Sequence, residues 1–413
     1  MNVSYRCVTC GATLASDEVV YECPACTGAA SSATGFPRGY LSVDAPIPDR
    51  VRPGLLVDPF ALLPLAVQDW RSFPAGETPL VQPQRLRTTV GFKNLFLKND
   101  TLNPSGSLKD RASLLVAAQA RQHGVTSVAL ASTGNAGASM ACAGAAYGLQ
   151  VILFVPAAAP RAKLLQSLLY GARVVPVQGT YDAAYSLSIA YTRSFGGINR
   201  NTAFNPFTVE GKKTVSIEMY NQLGGAVPDV VYVPTGDGVI VSGVCKGFAD
   251  LHSAGFTDRV PVIVAVQAEG SDAIFRSMRD GRETVLERTS TIADSLAVER
   301  PAAGAMALGL LKKYGRAIEV SDAEASAAQA ELCREAGVFV EPSSAVAWAG
   351  FRKDRENIDP AARVVVLLTG TGFKDTAAAE KLVSLPAPCP PDLESAARLL
   401  ADVYDVRGGT AAH

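Results

Sequence analysis

The sequence predicts an α/β protein in which mostly parallel sheet is covered by helices. Short β-branched runs alternate with helical segments of about 10–15 residues, and glycine-rich turns follow several of the runs directly. The first such unit is a strand at Asn94–Lys98, then the loop Asn103-Pro104-Ser105-Gly106-Ser107-Leu108-Lys109-Asp110-Arg111, then a helix through Ala112–Ala118. Val128–Ala131 is a second strand; Ser132-Thr133-Gly134-Asn135-Ala136-Gly137 follows it and opens an alanine-rich helix to about Tyr147. Val230–Val233 precedes Pro234-Thr235-Gly236-Asp237-Gly238 and a helix running through Lys246 and Phe248. Val364–Leu368 precedes Thr369-Gly370-Thr371-Gly372. In sheets of this kind ligands sit at the carboxyl ends of strands, where glycine lets the backbone approach closely. Helix N-termini there present N–H groups and a positive dipole end to phosphate or carboxylate.

Lys109 stands at a loop-to-helix junction behind Pro104 and Gly106. A lysine at such a place is presented to a ligand rather than to bulk water. Its amine becomes a catalyst by forming a Schiff base, most often with pyridoxal phosphate. A presented lysine with three anion-binding turns describes a site for a cofactor phosphate and an anionic substrate. None of the turns matches a dinucleotide or Walker pattern, so nucleotide binding is the weaker reading.

Taken in order, the Lys109 loop, Ser132-Thr133-Gly134-Asn135, Thr235-Gly236-Asp237-Gly238 and Thr369-Gly370-Thr371-Gly372-Phe373-Lys374-Asp375 resemble the signature of fold-type II pyridoxal phosphate enzymes. Within that group the chain most resembles the threonine synthase family, from about Gly76 to Asp375. The resemblance implies a two-lobed fold, like that of the tryptophan synthase β chain. It implies that Lys109 carries the cofactor and that Asn135 bonds its ring hydroxyl. It places the cofactor phosphate on Thr235, Gly236, Asp237 and Gly238, and the pyridine nitrogen against Thr369. Ser132, Thr133, Gly134 and Asn135 would take the substrate carboxylate. A hydroxyl beside the pyridine nitrogen suits elimination and replacement better than transamination. A homodimer is also implied.

Cys7, Cys10, Cys23 and Cys26 form two C-x2-C pairs separated by twelve residues. Four thiolates on two knuckles suit a closed, tetrahedral structural zinc site. Similar ribbons precede the core in part of the family. The other cysteines, Cys142, Cys245, Cys333 and Cys389, are scattered and outline no disulfide framework, which favours a reducing compartment.

These features divide the 413 residues into a zinc ribbon (1–30), a Pro- and Gly-rich extension wrapping the core (31–75), a catalytic core (76–385) and a C-terminal helix with tail (386–413). The core has an inner lobe at about 95–215 and a cofactor-phosphate lobe at about 216–385. Leu62, Leu63 and Trp70 are expected to dock the extension. A net charge of −1 with interspersed signs argues against nucleic-acid or membrane-surface binding. No apolar run reaches the roughly eighteen residues of a spanning helix, and the N-terminus does not read as a signal peptide, so a cytoplasmic protein is expected. Only three histidines occur; His123 and His252 fall in polar helix-end contexts, which argues against histidine-based catalysis.

The chain departs from the family where a substrate phosphate should bind. Ala136 and Ala203 replace hydroxyl residues, and Thr208 stands where an arginine is common. Arg161, Lys163, Lys212 and Lys213 are the candidate replacements, although each reads by default as a solvated helix charge. The segment Thr291–Val298 looks closer to serine and threonine dehydratases. The expected activity is therefore elimination or replacement on a small amino acid, foremost O-phosphohomoserine to threonine and phosphate. The alternatives are a cysteate-synthase-like β-replacement using serine or phosphoserine, and a serine or threonine ammonia-lyase. A non-enzymatic zinc-ribbon module on a dead scaffold is the remaining reading.

Overall fold

The computed structural model describes residues 3–27, 35–44 and 53–405. Pro46, Pro48, His413 and the tail beyond Asp405 lie outside them. At the N-terminus, strands β1 (Val3–Cys7), β2 (Thr13–Ser16) and β3 (Leu41–Asp44) form an antiparallel sheet in the order β2-β1-β3. Alternate residues of β1 point inward, so Val3, Tyr5 and Cys7 are buried, as period-two patterning requires. The third strand comes from the Pro- and Gly-rich segment that follows the cysteine pairs.

The remaining strands are β4 (Leu80–Val81), β5 (Leu95–Asn99), β6 (Ser127–Ala131), β7 (Gln150–Pro156), β8 (Arg173–Val177), β9 (Ile198–Asn199), β10 (Val230–Pro234), β11 (Val262–Ala268), β12 (Gly315–Val320) and β13 (Val364–Leu368). They make two sheets. The smaller, β8-β7-β6-β9, is wholly parallel. The larger, β12-β11-β10-β13-β5-β4, is parallel except for β4 at its edge. Although β5 adjoins the smaller lobe in sequence, it pairs with β13.

Strands in a sheet covered on both faces bury every residue, which is why β10 and β13 are continuous apolar runs. Val231, Val233, Ile263, Ala265, Val365 and Leu367 pack on one face of the larger sheet. Val230, Tyr232, Val264, Val266, Val364 and Val366 pack on the other. The smaller sheet divides likewise, with Val128 and Leu130 on one face and Ala129 and Ala131 on the other.

Three helices cross between the lobes: Lys109–Gln122, Phe207–Gln222 and Val239–Ser253. They approach closely through small residues. A Cβ on Gly211 would lie 2.3 Å from the Arg111 carbonyl oxygen, and one on Gly243 would lie 2.8 Å from the Lys212 Cβ. The helix Phe207–Gln222 is consequently buried on all sides despite carrying Glu210, Lys212, Lys213 and Glu218.

The ribbon sheet docks on this bundle. Tyr5 meets Phe207 edge-on and Tyr21 stacks on Phe204 with ring centroids 4.7 Å apart. Leu62 and Leu63 are buried as expected, while Trp70 is half-buried and donates from Nε1 to the Ala75 carbonyl at 3.0 Å. Among the described residues, no helix is long and apolar enough to cross a membrane.

Candidate active site

Each glycine turn singled out in the sequence lies at the carboxyl end of a strand. Lys109 is the first residue of its helix, ten residues beyond β5. The loop before it is fixed by its own side chains. Asn103 donates to the Asp100 carbonyl at 2.9 Å and accepts the Gly76 amide at 2.9 Å. Gly106 takes φ +87°, a left-handed turn that disfavours a side chain. Asp110 accepts both the hydroxyl and, at 2.6 Å, the amide of Ser105. Burial raises the Asp110 carboxyl to about 6, with the Ser105 bonds acting in the opposite direction.

Two residues past Lys109, the Arg111 guanidinium is fully buried between Asp100 (2.6 and 2.8 Å) and Glu218 (2.6 and 2.8 Å). Glu218 also accepts Lys98 Nζ at 2.6 Å. This four-member ionic network ties the start of the Lys109 helix to β5 and to helix Phe207–Gln222.

The Lys109 loop is also clamped to the turn after β13. The Leu108 amide donates to the Thr369 carbonyl at 2.8 Å and the Thr371 amide donates to the Gly106 carbonyl at 3.0 Å. The Thr369 amide in turn donates to Ser344 Oγ at 2.8 Å. Burial draws the Lys109 amine below the ordinary lysine range; Asp237 and Glu341 pull it back up, and Arg200 pushes it down. Charges from three separate segments therefore act on this one amine.

After β6, Ser132 Oγ accepts the amides of Gly134 (3.2 Å) and Gly137 (3.0 Å) and so shapes the turn that starts helix Asn135–Tyr147. Ser132 and Thr133 are half-buried and Gly134 is exposed, so this helix end faces an open cleft. Thr133, Asn135, Lys163, Ser295, Glu341 and Lys374 line the cleft. Asn135 donates to both oxygens of Glu341, at 2.9 and 3.2 Å.

After β10, the Thr235 amide bonds the Val266 carbonyl at 2.8 Å, and Asp237 Oδ1 accepts the Val239 amide at 3.0 Å. Gly236 and Gly238 are demanded by crowding. A Cβ on Gly236 would lie 2.9 Å from the Leu296 Cα, and one on Gly238, at φ +89°, would lie 3.0 Å from the Ala303 oxygen. Lys109 interacts with Asp237 and Glu341, Glu341 accepts from Asn135, and the Leu108 amide bonds Thr369, so these contacts link the four turns.

Two relatives decide the family. The threonine synthase of Methanocaldococcus jannaschii is 33% identical over 409 residues, 96% of this chain and 99% of that protein. The threonine synthase of Methanosarcina acetivorans is 33% identical over 381 residues, 90% of this chain and 92% of that protein. The chain belongs to the threonine synthase family. Residues 72–370 match the wider family of pyridoxal-phosphate-dependent enzymes, so the protein is a pyridoxal-phosphate-dependent lyase of that kind. The same fold occurs in maize serine racemase, with a TM-score of 0.65 at 22% identity over 74% of this chain and 92% of that one. It occurs too in the L-serine ammonia-lyase of Rhizomucor miehei, with a TM-score of 0.64 at 25% identity over 74% and 97%. The α/β, two-lobed fold-type II architecture expected from the sequence is the one found.

The residues fit such a cofactor. Nearly all buried polar atoms in proteins have partners. Yet Ser107 Oγ, Arg200 Nη2, Lys212 Nζ and Ser242 Oγ have none among the described residues, and all lie on segments that meet here. A phosphorylated, polar ring would satisfy groups of this kind.

Two residues that face this region, Glu341 and Arg200, were not picked out from the sequence. Glu341 caps helix Pro342–Asp354 and is buried; burial raises its carboxyl above the usual range, with Asn135 and Lys109 opposing. The Pro342 that follows it was the available signal, since proline at a first helical position marks the preceding residue as a cap. Arg200 had no local signal.

The four candidate replacements for the missing arginine separate cleanly. Arg161 is exposed, and Lys163 pairs with Asp294 at 2.8 Å, both side chains largely exposed. Lys213 is buried against Glu210 (2.7 Å) and Asp250 (2.8 Å). Lys212 is buried, and its Nζ has no hydrogen-bond partner among the described residues. The default reading of Lys212 and Lys213 as solvated charges is therefore wrong, because close helix packing at Gly211 and Gly243 seals that helix from water. Thr208 is spent locally, donating to the Asn205 carbonyl at 2.8 Å.

Away from this site, Cys7, Cys10, Cys23 and Cys26 come together with all four sulfurs within 4.8 Å of one another. The Cys7–Cys26 and Cys10–Cys23 sulfur pairs are each 3.8 Å apart. Ligands held tetrahedrally at about 2.3 Å from a zinc ion would be about 3.8 Å apart.

Proposed function

We propose that the protein converts O-phosphohomoserine to threonine and inorganic phosphate. The observation that carries this reading is the match to threonine synthases at 33% identity over nearly the whole of both chains. The bound cofactor supplies an electron sink for the carbanion formed at the substrate Cα.

The chain's own residues supply the rest. Lys109 would anchor the cofactor and its amine would take the α-proton; burial lowers its pKa, which favours the neutral amine a base requires. Asn135 would orient the ring through its hydroxyl, and Thr369 would hold the pyridine nitrogen. Thr235, Gly236, Asp237 and Gly238 hold the cofactor phosphate at the start of helix Val239–Ser253. Ser132, Thr133, Gly134 and Asn135 bind the substrate carboxylate at the start of the facing helix. Glu341, bonded to Asn135, fixes which way that amide points.

One observation favours a second reading. Ala203 offers no hydroxyl and the Thr208 hydroxyl is already engaged, so neither provides the phosphate grip expected for O-phosphohomoserine. A β-replacement on serine, or deamination of serine or threonine, needs no phosphate grip at those positions. Supplying each substrate to the cofactor-loaded protein and quantifying threonine, phosphate, pyruvate and 2-oxobutyrate separates these activities.

The cysteine cluster holds a structural zinc ion in this reading, supported by its sulfur spacing. Cytoplasmic residence is supported by the lack of any disulfide among the described cysteines. The homodimer rests on the family resemblance alone.

A further inference from the structure

We propose that Lys212, assisted by Arg200, is the charged ligand of a phosphoryl dianion seated on the Gly236–Gly238 turn, and that this dianion is the cofactor's phosphate. The inference rests on the cofactor assignment above and adds residues to it.

Lys212 has no exposed surface, and its Nζ has no hydrogen-bond partner among the described residues. An ammonium in that position is costly unless an anion meets it. The residues around it show where the anion belongs. Its Cβ packs over Gly243, about one turn into the helix that the Gly236–Gly238 turn begins. Ser242, on the same first turn of that helix, is buried with its hydroxyl also without a partner.

Arg200 reaches the region from the other lobe. Its guanidinium is fully buried, bonded to Thr202 at 2.8 Å and to Ser113 at 3.4 Å, and its second terminal nitrogen has no hydrogen-bond partner among the described residues. Ser113 lies one helical turn from Lys109, which sets Arg200 beside the cofactor lysine.

The charges support the same conclusion. Burial pulls the Lys212 amine well below the lysine range, Asp237 opposes this, and Lys109 and Arg200 add to it. Lys109, Lys212 and Arg200 all interact with Asp237, Glu341 acts on Lys109 and Asp110 on Arg200, and the Lys212 amine and one Arg200 nitrogen still have no hydrogen-bond partner among the described residues. A phosphate would supply the acceptor oxygens that these two nitrogens lack.

The test uses the apo-protein and two probes that differ only in the phosphate: pyridoxal phosphate and pyridoxal. Each is titrated into wild type and Lys212→Met, following the absorbance of the ring bound at Lys109. The proposal predicts that Lys212→Met weakens pyridoxal phosphate roughly 10- to 100-fold, the scale of a lost charged hydrogen bond. Pyridoxal affinity should stay the same. Equal weakening of both probes would overturn the proposal, since Lys212 would then act only through the fold. Unchanged pyridoxal phosphate affinity with a raised KM for a phosphorylated substrate would also overturn it, assigning the dianion to the substrate. If Lys212→Met does not fold, Lys212→Gln is read by the same ratio. Failure of wild type to develop any absorbance with either probe would instead show that the underlying cofactor reading is wrong.

Discussion

The Leu108 amide donates to the Thr369 carbonyl at 2.8 Å, so the residue beside Lys109 is pinned to the turn expected to face the pyridine ring. Residues 261 positions apart therefore form one rigid wall of the site. The backbone spacing between Lys109 and Thr369 is thereby fixed.

Lys109→Ala should abolish the bound-cofactor absorbance and lower turnover by about 10³-fold or more. The loop that presents Lys109 is held by Asn103, Ser105, Asp110 and Arg111, so the variant should fold normally. Circular dichroism and a cofactor titration check this. Substantial activity in a folded variant would remove Lys109 from its role.

Gly236→Ala tests the phosphate turn. The added Cβ would meet the Leu296 backbone at 2.9 Å, and relieving such overpacking costs about 1–3 kcal/mol. The turn must move, so cofactor affinity should fall in a protein whose far-ultraviolet spectrum is unchanged. Unchanged affinity would mean that the phosphate binds elsewhere.

Glu218 sets a pH dependence of stability. It is buried; Arg111 and Lys98 lower its carboxyl to about 2 against the opposing effect of burial. A lowered carboxylate stabilises the fold above the unfolded value of about 4.3, and that stabilisation fades as pH falls toward 2. Its size is about 3 kcal/mol. Glu218→Gln should cost about 3–5 kcal/mol at neutral pH by leaving Arg111 and Lys98 underpaired. The difference from wild type should narrow as pH falls below about 4. Melting temperatures measured across that range would contradict the network if the difference stayed constant.

Replacing Cys7 and Cys10 with serine should release one zinc ion per chain and lower the melting temperature. The ribbon also touches the core near the site: the Tyr21 hydroxyl accepts the Asn199 amide at 2.8 Å, next to Arg200. A modest loss of cofactor affinity should therefore accompany the loss of metal. Metal analysis finding no zinc in wild type would contradict the assignment.

What was legible in the sequence is local. β13 lies where its unbroken apolar run put it, and Lys109 opens a helix because Pro104 and Gly106 end what precedes it. The four cysteines meet because two knuckles on a short sheet leave them little freedom. Lys212 was not legible, because its burial depends on Gly211 and Gly243 admitting neighbouring helices that are distant in sequence. Helix Phe207–Gln222 has the charges of a surface helix and becomes a core helix only through that packing. Ala203 adopts φ +67°, a left-handed backbone that no local residue pattern announces.

The most direct test is turnover of O-phosphohomoserine by the purified, cofactor-loaded protein, with threonine and phosphate both quantified. Equal amounts of the two products are the predicted result. Neither product, alongside turnover of serine, phosphoserine or threonine, would contradict the proposed activity and show that Ala136, Ala203 and Thr208 have changed the substrate.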